Sequence, residues 1–284
     1  MSEHKGFLLT REWGDPEDGS KLRLEYWLAT DAGPRVVRID GEEAVLFIKR
    51  SDQPTARALL RELPTVRLEP LALKDRDDNA LTALYCATRN AWYESRRRLD
   101  GEAVGVYEAD VSPAERYLME RFIRGGVRVV ERGGQARMSP ADYRPQLKVA
   151  SLDIETNFRT GEILCVGVST GGERRVFMNG AVASGAAEFI VPAVDERSML
   201  WDFVKWFAEC DPDVVTGWNV VGFDLTTLVR RSRMLGVKLS LGRDGREPSV
   251  RSRGRWADAS AAQIPGRVVL DGVESLRYAG FSFE

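Results

Sequence analysis

Apolar and polar positions alternate in short runs through the first 50 residues, over 7–9, 22–28, 36–39 and 44–48. A period of two is the signature of strands with one buried face. Asp15-Pro16-Glu17-Asp18-Gly19 and Asp31-Ala32-Gly33-Pro34 separate the runs with turn-forming residues. The pattern predicts a β-meander or small barrel-like module. Further on it predicts a short helix over 52–63, strands over 66–73 and 80–87, a helix over 88–99 and a strand over 104–109. Ser112-Pro113-Ala114-Glu115 combines a serine N-cap, a first-turn proline and a capping-box glutamate, and starts a helix expected to run to Gly125-Gly126.

The stretch 132–145 has the most linker-like composition, with Gly133-Gly134, Pro140 and Pro145, and it divides the chain into expected domains 1–145 and 146–284. The second half opens with a short apolar strand, 148–157. Runs at 163–169 and 174–178, joined by short turns, extend it into an antiparallel meander. Met199, Leu200, Phe203, Val204 and Phe207 recur at helical spacing within 196–209. A strand follows at 213–218, then a helix with Leu225, Leu228, Val229 and Ser232 on one stripe. The last strand is expected at 266–271, ahead of a helix cap at Asp271-Gly272-Val273-Glu274.

The strand at 148–157 carries the candidate chemistry. Asp153 and Glu155 project to one side of it, bracketed by Leu152 and Ile154. Two neighbouring carboxylates repel, and burial costs more unless a cation or proton neutralises them. Divalent cations suit such oxygens, and a two-metal site of this type cleaves phosphodiesters. Spacing alone does not settle the matter, since the chain has 43 Asp and Glu and several other acid-x-acid pairs. Most of those lie in polar turns. Glu108/Asp110 alone shares the apolar, strand-like setting.

Composition narrows the alternatives. With 43% hydrophobic and 30% charged residues, the 284-residue chain has the balance of a soluble globular protein. It has no run of ~18 apolar residues and no signal-peptide pattern at its start. Cys86, Cys165 and Cys210 fit no zinc spacing. A cytoplasmic location is expected. The single histidine, His4, sits at the terminus, which excludes histidine-based catalysis and leaves carboxylates with metal. Net charge is −2, so a nucleic-acid surface has to be local. Residues 230–255 offer one, with nine arginines and lysines against Asp244 and Glu247. Arg251, Arg253 and Arg255 are its candidates for contact with a phosphate backbone, against the plainer alternative of a solvated surface.

Leu152-Asp153-Ile154-Glu155-Thr156, followed about 70 residues later by Asn219-Val220-Val221-Gly222-Phe223-Asp224, resembles the first two exonuclease motifs of family B DNA polymerases. Asp211 to Trp218, Val106 to Val111, Arg116 to Phe122 and Leu71 to Asp75 are similar to bacterial members of that family. The resemblance implies an α/β (α+β) chain: a β-rich N-terminal domain, then a ribonuclease H-like 3′–5′ proofreading exonuclease with a mixed sheet. It implies that Asp153, Glu155 and Asp224 are catalytic and hold two Mg²⁺ or Mn²⁺ ions, and that Asn219 and Phe223 line the site around a DNA 3′ end. Asp224 also reads as an ordinary helix N-cap. The partners implied are single-stranded 3′ ends and primer-template DNA, the remainder of a polymerase chain, and a sliding clamp reached through that remainder. No membrane is implied.

The departures from the family pattern are specific. The third exonuclease motif, tyrosine ahead of a final aspartate, is absent: after Asp224 the one tyrosine is Tyr278, and four positions on stands Ser282. No Asp-Thr-Asp polymerase motif occurs. The expectation is therefore an N-terminal polymerase fragment, ending partway through the exonuclease domain and inactive alone. Two rivals remain: a nucleic-acid-binding scaffold without catalysis, and a haloacid dehalogenase-like phosphatase, whose nucleophile motif is similar but is followed by a helix.

Overall fold

A computed structural model of the protein describes residues 2–17, 19, 21–251 and 261–281. It divides into two compact units, Met1–Arg144 and Pro145–Glu284. Among the described residues no helix is long and apolar enough to cross a membrane.

In the first unit, β1 (Ser2–Gly14), β2 (Arg23–Thr30) and β3 (Gly33–Asp40) form the expected meander. β4 (Ala44–Lys49) then leaves for a second sheet. There it is followed by α1 (Gln53–Leu59), β5 (Val66–Lys74), β6 (Ala80–Cys86), α2 (Arg89–Gly101) and β7 (Val106–Tyr107), in the antiparallel order β5-β6-β4-β7. The strand expected at 104–109 is therefore only two residues long. Helix α3 (Pro113–Glu120) begins with the full capping box of Ser112 and Glu115. It ends sooner than expected, because Phe122 adopts a left-handed φ of 55° and the Ile123 N–H returns to Leu118 O at 2.9 Å.

The linker-like stretch opens as structure. β8 (Gly126–Arg132) pairs with β9 (Gln135–Pro140) around Gly133 and Gly134, whose φ values are 59° and 79°. Two consecutive positive-φ positions are what a tight hairpin demands, so the glycines serve a turn. The five-stranded sheet runs β3-β2-β1-β8-β9. Its core includes Leu22, Leu24, Tyr26 and Leu28, and the Tyr26 hydroxyl donates to Ala114 O at 2.8 Å.

The second unit is a six-stranded mixed sheet in the order β13-β12-β11-β10-β14-β17. β10 (Val149–Thr156), β11 (Ile163–Ser169) and β12 (Arg174–Asn179) are antiparallel, and β13 (Ile190–Ala193) lies parallel to β12. Helix α4 (Glu196–Cys210) returns the chain to β14 (Val214–Gly217), parallel to β10. A π-helical turn (Val220–Leu225) leads into α5 (Thr226–Leu235), and β15 (Ser249–Arg251) pairs with β16 (Ala261–Gln263). β17 (Val268–Asp271) lies parallel to β14, and α6 (Gly272–Tyr278) follows it.

The apolar stripes Met199/Leu200/Phe203/Phe207 and Leu225/Leu228/Val229 meet Leu152, Ile154 and Val166 in one core. That burial, at roughly 1.5–3 kcal/mol per large side chain, presses the helices onto the sheet and fixes the register of β10. Where the helices approach, buried Glu196 accepts from the Ile163 N–H at 3.0 Å and from Arg231 Nε at 2.7 Å. Its other oxygen takes a second guanidinium N–H, making a two-pronged pair. Arg243 bonds Asp211 and Asp213, each at 2.9 Å, and buried Arg267 bonds Asp211 at 2.6 Å. Removing one partner of a buried pair strands the other. Glu196→Ala is therefore expected to cost about 3–5 kcal/mol in urea unfolding of the chain, and a loss under 1 kcal/mol would contradict this.

Candidate active site at the carboxylate strand

Burial alternates residue by residue along β10: Ala150, Leu152 and Ile154 are buried, while Ser151, Asp153 and Glu155 are exposed. The two carboxylates thus share one face because the hydrophobic core claims the other. Across the antiparallel ladder Asp153 faces Gly167 and Glu155 faces Cys165. Burial pushes the Cys165 thiol up from its ordinary range, and the charges of Glu155 and Asp153 push the same way. A thiol in that setting stays protonated.

On its other side β10 is paired with β14 only as far as Ser151, which faces Thr216. The chain leaves the sheet at Gly217, where a Cβ would lie 2.4 Å from Leu152 O, so only glycine fits. With no further strand there, the Ile154 N–H needs another acceptor. Asp224 supplies it: Oδ1 accepts from Ile154 N at 2.9 Å. The carboxylate therefore grips the backbone between Asp153 and Glu155.

The turn that delivers Asp224 starts at Asn219, which adopts a left-handed φ of 56°. Asn219 folds over Gly222, where a Cβ would meet Asn219 Oδ1 at 2.4 Å. Val220, Val221 and Leu225 go into the core, leaving Trp218 and Phe223 exposed at 59% and 42%. Asp224 points the opposite way and is 1% exposed. It is not an N-cap: Leu225 holds that position ahead of α5, with no side-chain cap, and the Asp224 carboxylate faces the strand instead.

Burial first, and then the charges of Asp153 and Asp271, push the Asp224 carboxyl up to about 7, against the stabilising bond from Ile154. A buried carboxyl under like-charge pressure is what a hard divalent cation relieves, so Asp153 and Asp224 suit such an ion. Among the described residues no three His, Cys, Asp or Glu side chains are arranged to hold one metal ion, and Glu155 does not close with Asp153 and Asp224 into such a group.

The basic segment divides. Arg231 and Arg243 are consumed by ion pairs to Glu196, Asp211 and Asp213, and Arg246 pairs with Asp244. These therefore do not form part of a free phosphate-tracking face. Arg251 is exposed on β15, while Arg253 and Arg255 lie outside the described residues. The other apolar acid pair is also accounted for: Glu108, at a φ of 54°, bonds Arg116 at 2.6 Å. Strand β11 stands where a haloacid dehalogenase-like phosphatase would place a helix. Trp218 and Asp271 were not singled out as site residues from the sequence. An exposed tryptophan beside Asn219 was the available signal for the first.

The family model for the exonuclease domain of DNA polymerase family B matches residues 104–278. Models for the N-terminal and insertion domains of DNA polymerase II match 6–43 and 44–104. The chain is 42% identical to DNA polymerase II of Escherichia coli (strain K12), over 98% of this chain and 36% of that protein. It is 33% identical to a DNA polymerase of Pyrococcus glycovorans, over 59% of this chain and 20% of that one. The chain thus spans about a third or less of the length of these relatives. In fold it is similar to the family B DNA polymerase of Pyrobaculum calidifontis, with a TM-score of 0.71 at 20% identity, covering 94% of this chain and 36% of that one.

The state of Asp224 yields a pH prediction. Its folded value of about 7 lies above the ordinary 3.8, so the folded state holds the proton more tightly than the unfolded chain. The stability gained at low pH is lost as pH rises from about 4 through 7, on the order of a few kcal/mol. Asp224→Asn keeps an acceptor for Ile154 and removes the charge. It should be more stable than the parent at pH 8 without metal and lose this part of the pH dependence. Mg²⁺ should raise the thermal midpoint of the parent at pH 8 and leave the variant unmoved. Parallel pH profiles for the two proteins would contradict the assignment.

Proposed function

The chain belongs to DNA polymerase family B, of which it carries the N-terminal region and a 3′–5′ exonuclease domain, and from that premise we propose that, within the polymerase that contains it, this domain excises nucleotides from the 3′ end of DNA for proofreading. The parent is a DNA-directed polymerase of the polymerase II type, acting in replication and repair. The observation that carries the reading is the Asp224 carboxylate, buried on the backbone between Asp153 and Glu155 of one strand.

Exonuclease domains of this family are metal-dependent in general, and the ions proposed are two Mg²⁺ or Mn²⁺. Asp153 and Asp224 would hold one, with Glu155 available to a second from the same face of β10. Such ions, held there, would supply Lewis-acid activation of a water and stabilisation of the charge developing on the phosphodiester oxygens. The residues of the chain do the positioning. Phe223 and Trp218 offer exposed aromatic faces on which unpaired bases stack, worth roughly 1–3 kcal/mol per base. That favours a frayed single-stranded end over a duplex. Asn219, exposed beside them, contacts the terminal nucleotide. Arg251, with Arg253 and Arg255, follows the backbone of the strand, and contact with a sliding clamp is assigned to the remainder of the polymerase.

A second reading, a scaffold that binds DNA without cleaving it, has one observation in its favour: the lack of a three-ligand cluster among the described residues. Excision assays on the polymerase that contains this chain separate the two. Asp153→Ala with Glu155→Ala is expected to reduce release of 3′-labelled nucleotide by several orders of magnitude while leaving primer extension and DNA affinity near those of the parent. Equal excision by variant and parent would refute the assignment of these residues. DNA binding without cleavage by the unsubstituted protein, with Mg²⁺ and with Mn²⁺, would establish the scaffold.

A further inference from the structure

β17 ends beside the point where β14 leaves the sheet, with Asp271 opposite Gly217. The side chain of Asp271 is 7% exposed and accepts three backbone N–H bonds. Oδ1 takes Val273 at 2.9 Å and Glu274 at 3.3 Å, which caps α6. Oδ2 takes Val221 at 2.9 Å. That third bond does nothing for α6. It crosses to the π-helical turn, 50 positions earlier in the chain.

The approach is close. A Cβ on Gly272 would lie 3.1 Å from Gly217 O and 3.3 Å from Trp218 Cε3. The turn is therefore held from both ends. Asp271 grips it at Val221, Thr226 Oγ1 closes back on Val221 O at 2.8 Å, and Asp224 anchors it to Ile154. Single π-helical turns are uncommon and tend to occur at functional sites, and this one is fastened from outside at Val221 and Asp224.

We infer that Asp271 is a positioning residue for the candidate active site: by accepting the Val221 N–H it sets the turn that lays the Asp224 carboxylate on Ile154, beside Asp153. The same bond fixes which members of the turn go inward and which, Asn219 and Phe223, stay outside. The consequence for metal and excision rests on the exonuclease reading, whereas the positioning itself does not.

Serine caps helices nearly as well as aspartate, so Asp271→Ser keeps the cap of α6. Its single short oxygen cannot also serve Val221. Asp271→Asn is a second variant with good capping ability and one acceptor instead of two. The test follows amide hydrogen exchange at Val221 and Ile154 in both variants and measures Mn²⁺ affinity by electron paramagnetic resonance. Exchange at both amides should quicken at least ~10-fold in Asp271→Ser, and less in Asp271→Asn, while α6 amides stay protected. Mn²⁺ affinity should fall about 10- to 100-fold, as for other groups that orient a ligand. Unchanged exchange at Val221 and Ile154 in Asp271→Ser would reduce Asp271 to a cap of α6 and overturn the inference. Faster exchange alongside a parent that binds no Mn²⁺ would support the positioning and count against the metal site.

Discussion

The second unit depends on one hydrogen bond, from the Ile154 N–H to Asp224. A sheet whose parallel neighbour stops early leaves a backbone donor without a partner, and a buried unpaired donor costs about 1–3 kcal/mol. This chain meets the demand with a carboxylate instead of another strand. An amide side chain could make the same bond without burying a charge. The use of aspartate, 1% exposed and pressed by Asp153 and Asp271, adds an electrostatic cost that the bond to Ile154 only partly offsets. Stability alone does not account for that choice. The cation proposed for the site would account for it.

The surrounding structure serves to hold that geometry. Core burial on one face of β10 forces Asp153 and Glu155 onto the other. Gly217 lets β14 turn away within van der Waals reach of Leu152, and Asp271 and Thr226 fasten the turn that follows. Glu196 and Arg231 tie α4, α5 and the start of β11 together behind it. Each contact lies away from the exposed carboxylates, which leaves the outer face of β10 open to a ligand.

Much of this was legible in the sequence where the signal is local. Alternation along 148–157 put Asp153 and Glu155 on one face, the helical period placed Met199 to Phe207 in the core, and Ser112-Pro113-Ala114-Glu115 announced α3. Gly133-Gly134 misled because a hairpin and a linker ask for the same residues. Arg231 and Arg243 looked free because their partners, Glu196, Asp211 and Asp213, come from elsewhere in the chain. The depth of Asp224 was likewise hidden: aspartate before a helix reads as a cap, and only the early end of β14 turns it toward the strand. Tertiary contacts decided each of these.

The account stands on a divalent cation at the pair Asp153 and Asp224, and crystals of the chain soaked in Mn²⁺ test it most directly. An anomalous scattering peak within coordination distance of both carboxylates, absent from crystals of Asp224→Asn, is the expected result. A soak with no peak there, or with Mn²⁺ bound only at carboxylates elsewhere on the surface, would contradict the account.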